Sequence, residues 1–485
     1  MISFSLSLVA LVLGYLFYGR FVERVFAPDN RMTPAVAKAD GLDFMVLPNW
    51  KIFMIQFLNI AGTGPIFGAI MGAKFGPVAY LWIVFGCIFA GAVHDYLSGM
   101  LSMRHGGAGL PELIGQYLGK TTKNIMLVFT VLLLIMVGTV FVYSPAEILH
   151  SIGGETMMWV AIIFVYYIIA TMLPIDKIIG KVYPLFAFSL LFMAGALMVW
   201  LFFHWPTIPE IWTNFYNMGA ATEPDKWTDA IFPALFITVA CGAISGFHAT
   251  QSPLMARCVQ SERMGRPIFY GAMITEGVVA LIWATVSAWF FYGEPAPGYE
   301  LIEKATAGFH TSAPAVVNLV CNDWLGVVGA ILAMLGVVAA PITSGDTAFR
   351  SGRLIVAEWL KMNQRPIMNR MYICIPMFAI SIAMLVWQVE NPDGFNTIWQ
   401  YFGFSNQALS VFTLWTITVY LVRQKKAYWI TLIPALFMTT VCSTFLFVSK
   451  QAFHLPGNVG YVLGGVSLIV ACVWFCIWYR KEVKR

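Results

Sequence analysis

The chain of 485 residues is 59% hydrophobic and 15% aromatic, and only 11% of its residues are charged, less than half the share usual in a soluble domain. So little charge over such a length excludes a water-soluble globular protein, because lipid-facing as well as packed surfaces must be apolar. The net charge of +5 comes from basic residues strung along short connectors rather than from a nucleic-acid-binding domain. The eight cysteines lie mostly in apolar runs without a CxxC pair, which argues against a disulfide framework or a zinc ribbon.

Thirteen stretches are apolar and long enough to cross a bilayer as helices: near 2–19, 51–72, 76–101, 124–150, 156–173, 181–204, 229–250, 268–293, 324–344, 372–389, 398–421, 426–448 and 459–479. The first, Ile2 to Tyr18, lacks a basic n-region and a small-residue cleavage site, so it reads as a retained helix. No stretch alternates like an outer-membrane strand. The fold class is therefore an all-α polytopic membrane protein. With the N-terminus outside and the C-terminus in the cytoplasm, 25 of the 29 Lys and Arg fall on the inner side and four on the outer, as the positive-inside rule requires. The outer connectors 205–228 and 294–323 are acidic and rich in Trp, Pro and Gly, and read either as a vestibule or as plain connectors.

Two of the stretches are interrupted at their centres. The second holds Gly62-Thr63-Gly64-Pro65, and the seventh holds Cys241-Gly242-Ala243-Ile244-Ser245-Gly246. Glycine is a poor helix former and Pro65 has no amide hydrogen, so both helices should break there. Paired breaks in oppositely oriented segments point to an inverted-repeat transporter. The organisation that follows is an extra helix and connector in 1–50, a first five-helix repeat in 51–204, an outer connector in 205–228, a second five-helix repeat in 229–421 and two further helices in 422–485. Unwound backbone inside a membrane belongs beside a cavity or ligand. The half-helix starting at Pro65 would turn its positive end on a carboxylate, and the carbonyls before the break would attract a cation. The expected substrate-binding set is Gly62, Thr63, Gly64, Ser245, Gly246, Phe247, Asn406 and Gln407.

Ionisable residues within or at the ends of spans are functional candidates, because a charge at the bilayer centre is costly. Asp95, His248, Glu276 and Asp346 are the expected coupling and gating residues, and His94 and Glu147 also lie inside or at the ends of spans. Asp95 and His248 are expected to pair with each other, or with Arg257, Arg350 or Arg353, as an inner gate. Glu276, about two turns into its segment, is the first candidate for a proton carrier. The spacing of His94, Asp95, His105 and His248 matches no zinc motif.

The chain resembles the carbon starvation protein A (CstA) family through Asn59–Ile70 (NIAGTGPIFGAI), Gly91–Leu101, Arg104–Lys120, Ala240–Thr250 (ACGAISGFHAT), Asp346–Val356 and Phe402–Val411 (FGFSNQALSV). It departs from longer members at Gln251-Ser252-Pro253-Leu254, where many have a Ser-Gly-Thr-Thr run, and at His94-Asp95, where Gln-Asp is usual. The resemblance implies uptake of peptides or pyruvate, with proton coupling for pyruvate. The second segment also resembles the first core helix of the LeuT-type fold, whose pattern Asn-x-x-Gly-x-Gly stands here as Asn59 to Gly64. That likeness implies that the amides of Gly62, Thr63 and Gly64 bind a carboxylate. It also implies that the carbonyls of Ile60 and Ala61, with the hydroxyls of Thr343 and Ser344, hold a sodium ion.

The expected function is a secondary active transporter of the bacterial inner membrane, importing a small carboxylate or peptide on a proton or sodium gradient. The bilayer, the solute and the coupling ion are its partners, and sodium is the one candidate for a bound ion. No Walker motif is present for ATP. The rivals are a channel, which needs an uninterrupted pore, and an intramembrane enzyme using His and Asp.

Overall fold

The computed structural model of the protein describes residues 1–150, 153–173, 179–218, 230–294, 296–298, 302–303, 308–309, 313–391 and 394–484. Lys177, Lys226, Lys304 and Arg485 of the charge count lie outside the described residues. The helices run in the order α1 Ile2–Phe26, α2 Asn49–Ala61, α3 Gly64–Gly72, α4 Val78–Arg104, α5 Leu110–Leu118, α6 Lys120–His150, α7 Thr156–Met172 and α8 Ile179–His204. The second half continues with α9 Ile231–Thr238, α10 His248–Ala256, α11 Glu262–Tyr292, α12 Ala313–Leu360, α13 Ile367–Glu390, α14 Gly394–Arg423, α15 Trp429–Val448 and α16 Gly457–Val483. A two-residue antiparallel ladder, Ile302 with Phe309 and Glu303 with Gly308, lies in the connector before α12.

Nine helices among the described residues are long and apolar enough to span a membrane, and the bent pair α2–α3 makes a tenth. The sequence expectation of thirteen exceeds this for physical reasons. Helix α7 has 17 residues. The seventh segment is split into two helices of eight and nine residues. Helix α14, although 30 residues long, carries Asn406, Gln407 and several hydroxyls that lower its hydropathy. A further correction concerns the ninth segment. Its helix does not stop near 344 but runs on to Leu360, with a kink where Gly326 takes φ +62°. Arg350 and Arg353, counted in an inner connector, are consequently helical and buried.

Burial sorts the helices into a centre and a periphery. Only 11% of the apolar window of α16 is buried, against 89% of that of α11. A helix that is apolar all round and open on most sides belongs against lipid, whereas one buried on all sides belongs in the protein core. From Ile55 to Ile70 every residue of α2 and α3 is buried, and so is every residue from Val239 to Val259. Both broken segments therefore form the centre of the molecule.

Candidate functional site

The first break is short. Gly62 takes φ +35° and ψ −145°, a conformation that a Cβ disfavours. Thr63 then caps α3 through its carbonyl, which accepts from the amides of Ile66 (3.2 Å) and Phe67 (2.7 Å). Pro65 occupies the first turn, where its missing amide costs nothing. The two helices meet at a bend of 40°.

The second break is long. Nine residues, Val239 to Phe247, separate α9 from α10. The Ala240 carbonyl accepts within the stretch, from the amides of Ala243 and Ile244 (each 2.9 Å), and further groups in and beside it are held from other helices. Asn406 Oδ1 accepts from Ser245 Oγ (3.0 Å) and from the Phe247 amide (2.7 Å), while the Asn406 carbonyl accepts from the Gly246 amide (3.2 Å). Trp82 Nε1 donates to the Val239 carbonyl at 2.7 Å, and Gln407 Nε2 to the Phe236 carbonyl at 2.8 Å. The two breaks touch. A Cβ added at Gly64 would overlap the side chain of Cys241, and one at Gly68 would press on the Thr238 carbonyl.

Beside this junction lies a chain of fully buried titratable groups. Asp95 Oδ1 is 2.8 Å from His94 Nδ1, and Asp95 Oδ2 is 2.8 Å from His248 Nδ1. A carboxylate only accepts, so both rings carry their hydrogen on Nδ1. His248 Nε2 then faces Glu276 Oε2 at 3.5 Å. Cys241, His248 and Glu276 each place a ligating atom within 4.8 Å of the others, close enough to share one cation. All five residues are buried, with four of them at 0% exposure. Asp95 thus pairs with His248, as one of the two sequence alternatives had it, and not with an arginine. Arg257 instead bonds Glu358 and donates to the Gly107 carbonyl, and Arg350 and Arg353 face Asp43 at 3.7 and 3.6 Å.

The expected sodium ligands are only partly assembled. Ser344 Oγ reaches the first break, where it donates to the carbonyls of Leu58 and Asn59, each at 3.0 Å, one to three residues ahead of Ile60 and Ala61. The Thr343 hydroxyl turns back along its own helix to Ala340 (2.8 Å), the familiar alternative for a helical threonine. Asp346 lies apart from the Asp95 cluster and accepts from Tyr183 Oη at 2.5 Å.

The model of the carbon starvation protein CstA family matches residues 1–153, 144–327 and 301–445. The chain belongs to the CstA family. It is 45% identical over 339 residues to an uncharacterized membrane protein of Haemophilus influenzae, covering 60% of this chain and 91% of that one. It is 27% identical to the peptide transporter CstA of Bacillus subtilis over 99% of this chain and 96% of the relative. It is 24% identical to the pyruvate/proton symporter BtsT of Escherichia coli over 95% and 82%. Among solved structures it is similar to a variant of the Eremococcus coleocola manganese transporter, with a TM-score of 0.58 over 92% of this chain and 99% of that one. At 11% identity this likeness concerns the fold alone.

The motifs that carry the CstA resemblance supply most of the junction: Asn59–Ile70 the first break, Ala240–Thr250 the second, and Phe402–Val411 the asparagine that braces it. Sequence reasoning passed over Gln56 and Asn59 as side chains. Both are buried, with no partner among the described residues for any of their four amide atoms, and Thr63 Oγ1 is in the same state. Their spacing of three puts Gln56 and Asn59 on one face of α2, a polar pair in an otherwise apolar run that periodicity could have revealed, and Thr63 follows across the break. Asp43 and Glu358, the partners of the buried arginines, gave no such signal.

Proposed function

We propose that this CstA-family chain is a secondary active transporter that takes up small carboxylate-bearing solutes, pyruvate-like acids or short peptides, by alternating access on a proton or sodium gradient. One observation carries the reading: two helix breaks meet at the buried centre, Gly64 against Cys241, among polar side chains that lack partners. An unsatisfied buried polar group costs about 1–3 kcal/mol. Gln56, Asn59, Thr63, Gln251 and Gln407 all carry such atoms among the described residues. A site that exchanges these groups with water and solute accounts for them.

Chemistry narrows the solute. The amino end of α3 opens at Thr63 and Gly64 with its first amides and the positive end of its dipole, which favours an anionic group. The two broken segments, as matching members of two five-helix repeats, would move against the surrounding helices. The names of the relatives, a peptide transporter and a pyruvate/proton symporter, support the same solute class. The test is uptake of labelled pyruvate and of dipeptides into proteoliposomes under separate proton and sodium gradients. Free acids should accumulate and compete strongly, and amidated or esterified analogues far more weakly. Equal competition by the neutral analogues would remove the carboxylate from the reading. Turnover of a solute in detergent without a gradient would favour an enzyme instead.

A further inference from the structure

We propose that the coupling ion is a proton held between His248 and Glu276, with Asp95 as a positioning residue that fixes the imidazole. The proposal rests on the transport reading above. Asp95 accepts from His248 Nδ1, so Nε2 presents a lone pair to Glu276 Oε2 across 3.5 Å. Neither Nε2 nor either oxygen of Glu276 has a hydrogen-bond partner among the described residues. Two acceptors facing each other in a dry interior repel. One proton removes the conflict. On Glu276 it makes an O–H that donates to Nε2. Moved to His248, the O–H bond breaks, an N–H bond forms, and the imidazolium donates to the carboxylate.

The groups around Glu276 leave this role to His248. Helix α4 brings Asp95 and Cys87, and the second broken segment brings Cys241 and His248. Helices α2 and α3 contribute no titratable residue between Ile52 and Gly72. Helix α1 directs Tyr15 to Tyr270, and α8 directs Tyr183 to Asp346. An imidazole nitrogen suits a proton and not sodium, which prefers oxygen. At the first break the Ser344 hydroxyl donates to the carbonyls of Leu58 and Asn59 rather than to those of Ile60 and Ala61.

The position of the pair explains the coupling. His248 is the first residue of α10, directly after the unwound stretch, and Glu276 stands on α11. With the proton in place, α10 can close on α11. Without it, closure buries two opposed lone pairs, so the closed form takes up the proton and opening releases it. Solute binding at the break and proton binding at its edge thereby favour the same closed form.

Proteoliposomes test this with three readouts: accumulation of labelled pyruvate driven by a proton gradient, acidification of the lumen on adding pyruvate, and counterflow of label between equal pools. In Glu276→Gln, accumulation and acidification should fall roughly tenfold or more, while counterflow stays near wild type. His248→Gln should show the same split, and it serves if Glu276→Gln does not fold. Asp95→Asn should displace the pH profile of uptake, because an amide can donate to Nδ1 and reverse the tautomer, and Asp95→Glu should restore it. Wild-type accumulation in both Glu276→Gln and His248→Gln would overturn the proposal. So would joint loss of counterflow in folded variants, or a stoichiometric transition metal retained by the purified wild type. Absence of counterflow in the wild type would instead remove the transport reading itself.

Discussion

The two helix breaks solve one problem by different means. The first spans only Gly62 and Thr63. It is written into local chemistry: a glycine at positive φ, a proline in the first turn of the next helix and a carbonyl cap. The second spans nine residues without proline, and one internal turn at Ala240 satisfies only part of its backbone. Other groups of the break are held by Asn406 and Trp82 from other helices, and Gln407 holds the Phe236 carbonyl in the last turn of α9. A short break is a local property of a sequence, and a long one is a property of the fold around it. A glycine-bounded hinge can keep its shape while neighbours move, whereas a segment braced by α14 and α4 must follow them or lose its hydrogen bonds.

The contact between the breaks is where this contrast is most exposed to attack. Gly64→Val should abolish uptake without preventing membrane insertion, because its Cβ would overlap Cys241 at the junction. Gly64→Ala should be milder, and Cys241→Gly beside it should recover part of the loss, since the obstruction is that one side chain. Recovery is read as uptake in a double-mutant cycle, and purely additive losses would mean that the breaks do not act on each other.

Removing the brace should cost less, and should fall on the second break alone. Asn406→Leu orphans the Ser245 hydroxyl and the Phe247 amide, worth about 2–3 kcal/mol together. Hydrogen exchange should rise across 239–247 and stay unchanged at 62–66. Equal exchange at both breaks would show that the first also depends on its surroundings.

The smallest effect is expected at Ser344, which merely touches the first break. Ser344→Ala should cost about 1 kcal/mol and leave proton-driven uptake near wild type, even when combined with Thr343→Ala. Loss of a sodium-dependent component in that double variant would return the coupling ion to the α2 carbonyls.

The amino-acid sequence by itself determined the membrane class, the helical architecture, the family and the place of both breaks. These follow from signals that are local or compositional: long apolar runs, Gly-Thr-Gly-Pro within one of them, and ordered motifs from Asn59 to Val411. It also singled out Asp95, His248 and Glu276, because ionised side chains are rare within apolar stretches. Its pairing of Asp95 with His248 stood beside arginine alternatives that no pattern could decide.

Only the tertiary structure decided which of these residues meet. Three-dimensional packing brings Asn406 to a loop about 160 positions earlier, lines up His94, Asp95, His248 and Glu276, and sends Ser344 but not Thr343 to the first break. It also extends α12 past the apparent end of its apolar run and buries Arg350 and Arg353 beside Asp43. The physical reason is that hydropathy records the average environment of a stretch, whereas hydrogen bonds depend on single atoms approaching within about 3 Å. Apolar periodicity can place a helix in a membrane, but which of its polar groups finds a partner depends on the helices packed around it.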